Sequence, residues 1–534
     1  MKLKKSYFEY SFLAIFILIF LWLGIGSLFD HRLSHDFPYG YLASDAFLHL
    51  TVAEGIKTQG DFKTFPYYAV AGAKDVVGFN PPLFKQDVAA FSYLAGIESY
   101  DAIYLLIFVS LLFSVLVLYT ILRDFNKNIA LLMLPLTILV FTKNFYAGVT
   151  WGQWDFYPGV MFLVAIAWCF SKIDLKGIVL PLGLLLSATL LTHPPETFWA
   201  AGFILFYFTY KLITKNFKLE ELKNVIYGVV IAVILSFYFI PIFQGVWSER
   251  LTLKLQEMPE SAGFPIVGIT DFSWLLIFIV FGILISLFFY KKIDTSILFS
   301  LYLLLAGYTI YLGFDKSLQL RFNWPIFLAP LFGLTLYQIF KFFIKDWKIY
   351  YSIGLSVVFF IVFILIFYKP LSTQGLMDSE HWQALMWLRD NTGGDARVYY
   401  FYGDIYSQKA VLYSAKRTPY LVDTNDYVAA LKNQTINRYY LSDNPGQAGG
   451  YPYRVSFWEF KKHILEPEYE RTKQRDVCNF DYYVFDKVSQ VPILTQYNII
   501  IMSKFLEKDW IKEVYNNQIV TILKNDNPGA DCLV

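Results

Sequence analysis

Charge is what this 534-residue sequence has least of: Lys, Arg, Asp and Glu make up 16% of it, where ordinary soluble chains carry about 25%. The two signs nearly cancel, leaving a formal net charge of +2, which gives no electrostatic reason to expect nucleic acid as a partner. Cysteine is rarer still at three residues, which excludes a small disulfide scaffold. No internal repeat, heptad array or low-complexity tract occurs, and disorder and a collagen-like chain are excluded. What abounds is apolar and aromatic: hydrophobic residues are 56% of the chain and Phe, Tyr and Trp together 20%. Such a composition belongs to an integral membrane protein with a large lipid–water boundary.

A bilayer-spanning helix takes about 20 mostly apolar residues. Eleven runs are candidates, near 10–28, 101–122, 129–142, 157–170, 178–193, 196–211, 224–246, 273–290, 295–313, 322–340 and 349–368. Those at 129–142 and 157–170 are the shortest. The first run follows Lys2, Lys4 and Lys5 as a signal peptide would, but its length and the lack of a small-residue cleavage site make it a retained anchor. Positive charge then orients the chain. Lys2, Lys4, Lys5, Arg123, Lys127, Lys172, Lys176, Lys211, Lys215, Lys218, Lys223, Lys291, Lys292, Lys341, Lys345 and Lys348 fall on one side, which should be cytoplasmic. The opposite loop 144–156 has no Lys or Arg, and loop 29–100 is net acidic.

The expected architecture is a polytopic α-helical membrane domain, residues 1–368, with a long first external loop at 29–100 and a cytoplasmic N-terminus. An extracytoplasmic α/β domain follows at 369–534. In that tail no apolar run is long enough to span. Residues 379–388 have amphipathic helical spacing with Trp382, Leu385 and Leu388 on one face. Short β-rich runs lie at 397–402, 481–486, 498–503 and 519–523, with a helix-like stretch at 507–515 between the last two. Asn433-Gln434-Thr435 is a glycosylation acceptor sequence, consistent with an outside location. Cys169 reads as apolar packing within a span. Cys478 and Cys532 share the external domain, where a disulfide is permitted, though spacing alone does not establish one.

Charged groups at the ends of spans are costly and so are candidates for function. Nearly all of them fall on the external side. In the first external loop, Ser44-Asp45-Ala46-Phe47-Leu48-His49-Leu50 continues to Ala53-Glu54-Gly55-Ile56, with apolar residues at 46, 47, 50, 53 and 56. This pattern reads as a helix on the membrane surface. Asp45 opens it and His49 lies one turn on. Asp45 is either a partner for the helix N-terminus or a carboxylate facing a cavity at the membrane. The second loop reads Thr150-Trp151-Gly152-Gln153-Trp154-Asp155-Phe156-Tyr157-Pro158-Gly159. Trp151 and Trp154 beside one acid form a candidate sugar platform with a polar anchor, or they are ordinary interfacial aromatics. Arg321, in Leu320-Arg321-Phe322, either snorkels to headgroups or holds a phosphate with its planar fork. Glu257 and Glu260 are solvated charges or cation ligands. His193-Pro194-Pro195-Glu196 is a sharp corner whose His/Glu pair is either substrate-binding or simply a satisfied turn. His31, His35, His49 and His193 are all external, but no pair has the spacing of a structural zinc site.

These motifs, in this order and on one side, resemble the GT-C superfamily of membrane glycosyltransferases. Within it the chain is most similar to the catalytic subunit of archaeal and bacterial single-subunit oligosaccharyltransferases. Ser44-Asp45 with Ala53-Glu54-Gly55 is similar to the family's first acidic motif, Trp154-Asp155 to its second, and Leu320-Arg321-Phe322 to its arginine motif. Trp382-Gln383-Ala384-Leu385 resembles the helix that opens its external domain. Departures accompany the likeness. The second motif has one acid where the family usually has two, and eleven runs fall short of the family's thirteen spans. Tyr399-Tyr400-Phe401-Tyr402-Gly403-Asp404 stands where the family's Trp-Trp-Asp-Tyr-Gly would read an acceptor peptide.

The resemblance implies inverting transfer of a sugar or oligosaccharide from a polyprenyl phosphate or diphosphate donor to a protein or glycan acceptor on the external side. Arg321 would stabilise the leaving phosphate, and Asp45 would act as base or orient the nucleophile. If the family's divalent metal is used, Asp45, Asp155 and Glu257 or Glu260 would ligate Mg²⁺ or Mn²⁺. A metal-free monosaccharide transferase with a polyprenyl-phosphate donor is the nearer alternative. A transporter is the alternative of another class, and the absence of acids or bases in the span cores argues against it. A non-catalytic scaffold is also compatible with the sequence.

Overall fold

The structure is a computed structural model, which describes residues 2–28, 32, 34–42, 44–60, 66, 68, 81–150, 152, 154–237, 239, 269–308, 323–368, 375–403, 405–406, 410–417, 419–421, 432, 439–441 and 474–532. Arg321, Glu257, Glu260, Trp151 and the sequence Asn433-Gln434-Thr435 lie outside them. The helices of the first domain are α1 (Lys2–Leu28), α2 (Ser44–Gln59), α3 (Leu83–Ala95), α4 (Ser99–Phe125), α5 (Lys127–Thr137), α6 (Lys143–Thr150) and α7 (Phe156–Ser171). They continue with α8 (Val179–Thr192), α9 (Pro194–Ile213), α10 (Leu219–Ser236), α11 (Leu276–Phe288), α12 (Thr295–Tyr308), α13 (Trp324–Phe343) and α14 (Ile349–Phe367). Each of the eleven apolar runs overlaps one of these helices, and the stretches 240–246 and 309–313 of those runs lie outside the described residues. Among the described residues, four segments are long and apolar enough to cross a bilayer: Tyr7–Gly26, Ser99–Phe125, Trp324–Phe343 and Ile349–Phe367. The apolar segments Lys127–Phe141, Phe156–Ser171, Lys176–Thr192, Phe272–Phe288 and Thr295–Gly307 are shorter.

Polar anchors fix the apolar helices against one another. Glu9 of α1 is fully buried and takes Arg123, Lys127 (3.1 Å) and the Tyr119 hydroxyl (2.9 Å) from α4 and α5. A buried carboxylate needs that many partners to offset its desolvation. Helix α13 lies so close on α5 that a side chain at Gly333 would meet the Ile129 carbonyl at 2.6 Å. The surface helix expected around Asp45 is α2, and its apolar face, Ala46, Phe47, Leu50 and Ala53, is buried.

The tail folds as an α/β unit. Its helices are α15 (Ser379–Asn391), α16 (Ala410–Ser414) and α17 (Pro492–Leu506), and its strands β1 (Val398–Tyr400), β2 (Pro419–Leu421), β3 (Tyr439–Leu441), β4 (Gln474–Asp476), β5 (Tyr482–Asp486), β6 (Ile511–Asn516) and β7 (Val520–Asn525). The main sheet has the order β2-β1-β5-β7-β6, parallel at β2-β1-β5 and antiparallel from β5 to β6. Strands β3 and β4 form a separate antiparallel pair. Cys478 and Cys532 are joined by a disulfide.

Two expectations in the tail are corrected. Residues 498–503 are not a strand but the middle of α17. Pro492 opens that helix, and Leu494, Tyr497, Asn498, Ile501 and Phe505 recur at the three-to-four spacing of one buried face. This periodicity outweighs the β-branched character of Ile499 and Ile500, which stand exposed. Of the stretch 507–515, expected as helix, residues 511–515 instead belong to edge strand β6, in which only Ile511 is fully buried.

The helical part and the tail meet through α2 and its approach. Leu376 N–H donates to the Tyr41 carbonyl (2.7 Å), Tyr41 bridges Gly375, and Lys416 pairs with Glu54 at 3.1 Å. Trp382 lies edge-on to Tyr100 (6.0 Å) and stacks on Tyr413 (5.8 Å).

Candidate active site

Four pieces of chain converge where the α7 and α9 N-termini meet α2 and α3. The first is the turn 152–155. Gly152 adopts φ +84°, a left-handed conformation that a side chain would strain, and a Cβ there would collide with Ala46 N and lie 2.8 Å from the Asp45 carbonyl carbon. Only glycine lets the loop before α7 approach the start of α2 so closely. By this contact the two sequence-predicted acidic motifs meet through their backbones. Leu42 N–H adds a hydrogen bond to the Thr150 carbonyl at 3.0 Å.

Asp155 stands at the N-terminus of α7 and is buried. One carboxylate oxygen accepts from the Lys85 ammonium, and Lys85 also donates to the Pro81 carbonyl at 3.2 Å. The other oxygen, Oδ1, faces His49 Nδ1 at 3.6 Å and has no hydrogen bond among the described residues. Burial raises the Asp155 carboxyl, but Lys85, His49 and His193 outweigh it and hold the group below its ordinary value. Burial likewise drags the Lys85 ammonium down, against the attraction of Asp155. The pair is therefore a buried ion pair in which each charge offsets the other's desolvation, with His49 and His193 assisting on the Asp155 side.

Lys85 was not anticipated from sequence. It is a lysine that the structure carries from the net-acidic first loop onto Asp155. Its signal was a lysine in the first turn of a helix that follows Pro81-Pro82, directly after apolar Leu83 and Phe84.

The fourth piece is the α8–α9 corner. His193 Nδ1 is hydrogen-bonded to Glu196, which is almost fully buried, and a Cβ at Gly159 of α7 would touch Glu196 at 3.0 Å and His193 at 3.1 Å. Burial lowers the His193 imidazole, but Glu196 and then Asp155 outweigh this and hold it above its ordinary value. The ring lies edge-on to Phe156 at 6.1 Å. His49, His193 and Glu196 thus gather around Asp155 and Lys85.

Trp154 does not form a sugar platform. Its indole is fully buried, donates to the Val149 carbonyl at 2.6 Å, and packs on Tyr41 (5.0 Å), Tyr104 (5.6 Å) and His49 (5.8 Å). It forms the floor under His49. The stretch that stands in place of a peptide-reading motif is similarly interior: Tyr399, Tyr400 and Phe401 are buried in and beside β1.

Two of the four expected metal ligands, Glu257 and Glu260, lie outside the described residues, which leaves Asp45 and Asp155 of that set. Among the described residues no group of three or more His, Cys, Asp and Glu side chains is placed to hold an ion. The carboxylate best placed to ligate one, Asp155, already has an ammonium on it.

No protein-family model and no curated protein matches the sequence. Solved structures do. The oligosaccharyltransferase AglB of Archaeoglobus fulgidus, in complex with an inhibitory peptide and a dolichol-phosphate, superposes with a TM-score of 0.52 at 12% identity, over 90% of this chain and 70% of its own. The A. fulgidus enzyme in complex with Zn and sulfate gives 0.53 at 12% identity, with the same two coverages, 90% and 70%. ArnT of Cupriavidus metallidurans bound to undecaprenyl phosphate gives 0.55 at 11% identity, over 98% of this chain and 99% of its own. Over most of its length this membrane chain has the GT-C fold that the oligosaccharyltransferase and ArnT share.

Proposed function

We propose that the chain is an inverting membrane glycosyltransferase that moves a sugar from a polyprenyl phosphate or diphosphate donor to an acceptor at the external ends of its helices. The observation that carries this reading is the buried Lys85–Asp155 pair, with an open Asp155 oxygen, packed against the start of α2. The fold supports it, since the AglB and ArnT structures hold a dolichol-phosphate and an undecaprenyl phosphate.

The chemistry is a displacement. The acceptor oxygen attacks the anomeric carbon, the bond from that carbon to the phosphate oxygen breaks, and the phosphate leaves with the electron pair. The acceptor proton passes to Asp45, the general base. Lys85 is the cation that meets the developing phosphate charge, with Arg321 as its second, planar partner. Asp155 keeps Lys85 charged and in place. His49, His193 and Glu196 position the pair and line the acceptor side. The basic helix ends lie in the cytoplasm and the tail lies outside.

This assignment favours the metal-free reading, in which an ammonium takes the part a divalent ion would otherwise play. Transfer should survive EDTA, and Arg321→Lys should retain donor binding poorly because Lys lacks the bidentate fork. Abolition by EDTA with rescue by Mg²⁺ or Mn²⁺ would instead make Asp45, Asp155, Glu257 and Glu260 metal ligands, the oligosaccharyltransferase-like alternative.

A further inference from the structure

Helix α9 begins at the candidate active site and runs for about 30 Å before it ends at Ile213. At that far end three segments close around a cavity of about 500 Å³: the last turns of α9, the turn 214–218 into α10, and the residues that open α12. Lys211, Lys215, Lys218 and Lys291 line it, together with Tyr207 and Tyr210, and no Asp or Glu does. The nearby acids are engaged elsewhere or reach only one of these lysines. Glu221 takes Lys211 at 3.3 Å, and Glu220 takes Lys223 at 2.8 Å. Among the described residues Lys215, Lys218 and Lys291 pair with no carboxylate.

The backbone gives an independent sign. Helix α9 ends in a Schellman turn, with Lys215 N–H bonded to the Leu212 carbonyl (3.1 Å) and Asn216 N–H to the Lys211 carbonyl (2.8 Å). The residue in the left-handed position of such a turn is usually glycine. Here it is Lys215, at φ +60°. A lysine held where glycine would fit without strain points to a use for its ammonium. The Tyr210 oxygen accepts from Ile293 N–H at 3.4 Å, which leaves its own O–H free to donate. Phe217 and Leu298 give the cavity an apolar wall beside the charges.

We propose that this cavity binds the phosphate of an anionic membrane lipid, at the end of the helices opposite the transfer site. Several ammonium groups uncompensated by acid, a tyrosine donor and an apolar flank match a phosphodiester headgroup with its acyl chains. A free phosphate or pyrophosphate ion shares the headgroup chemistry but makes no use of the apolar wall. The site is separate from the proposed donor phosphate at Lys85, which lies at the other end of α9.

The test uses the full chain in detergent, with lipid retention read by native mass spectrometry. The triple variant Lys215→Gly, Lys218→Gln, Lys291→Gln relieves the strained position, so it should melt no lower than the unaltered protein. A control with Lys341→Gln, Lys345→Gln and Lys348→Gln removes equal charge elsewhere on the same face. Phosphatidylglycerol should be retained by the unaltered protein and the control, and at least tenfold more weakly by the triple variant, while phosphatidylcholine is not retained. Saturable binding of inorganic pyrophosphate that the same triple variant abolishes, without lipid retention, would support the phosphate site and assign it to a soluble ion. Equal retention of phosphatidylglycerol and equal pyrophosphate binding by all three proteins would overturn the proposal.

Discussion

Two buried ionic clusters in this molecule follow opposite rules. In the tail, His381 lies between Asp378 (2.7 Å) and Asp486 (2.9 Å), and Asp486 takes the Tyr406 hydroxyl on its other oxygen. Asp378 caps α15 through His381 N–H at 2.8 Å, and Asn498 donates to the Asp486 carbonyl at 2.9 Å. Each oxygen of Asp486 is filled, and helix α15 is latched to strand β5. At the helix ends, Asp155 shares one oxygen with Lys85 and leaves the other without a hydrogen bond among the described residues. A buried unsatisfied acceptor costs about 1–3 kcal/mol, a cost that a cluster serving only stability has no reason to carry. Saturation marks the latch, and on the function proposed above the second Asp155 oxygen, which faces His49 at 3.6 Å, is where a ligand would bind.

The largest expected effect comes from breaking the unsaturated pair. Lys85→Met leaves Asp155 buried without its counter-charge, and should lower stability by about 3–5 kcal/mol as well as abolish transfer. Adding Asp155→Leu to Lys85→Met should restore most of the melting temperature but none of the transfer. Recovery of transfer with stability would show that the pair is structural, like the tail cluster. Next comes the disulfide, which closes a separation of 54 residues. Replacing both cysteines by serine should cost the tail about 4 kcal/mol by the loop-entropy relation, seen as earlier proteolysis of the tail. Transfer at low temperature should persist.

The smallest effect is a pH dependence confined to the latch. Burial alone would lower His381, but its hydrogen bonds to Asp378 and Asp486 raise it to about 10. A raised histidine stabilises fully below its ordinary value of 6.5 and loses that contribution as pH rises through about 10. Asp378 is held below its ordinary value of 3.8, because His381 and the α15 N–H groups outweigh its burial, so its contribution is lost as acid protonates it. Tail stability should therefore fall between pH 7 and 11 in the unaltered protein. In His381→Leu it should lose that slope; an unchanged slope in the variant would remove His381 from the latch.

The helices were legible because apolar runs of about 20 residues have few alternatives. Asp45 and Asp155 were legible as candidates because acids at the ends of apolar runs are rare. Their meeting was not: it depends on Gly152, whose value is a left-handed backbone rather than a side chain. Lys85 was hidden by averaging, since a loop counted as net acidic conceals a buried base within it. Trp154 was misjudged because an indole beside an acid reads the same whether its face is open or packed, and only the surrounding Tyr41 and Tyr104 decide. In the tail, the run Ile499-Ile500-Ile501 has β-branched composition but helical spacing of its buried neighbours, and the spacing prevailed.

The most direct test of the account is turnover by Asp155→Asn in liposomes, on a panel of polyprenyl-phosphate and polyprenyl-diphosphate sugars. The substitution keeps the shape of the side chain while removing the charge that holds Lys85. The account predicts a protein that is destabilised as Lys85→Met is, still folds at low temperature, and transfers at least about a hundredfold more slowly. Transfer within twofold of the unaltered protein would contradict it.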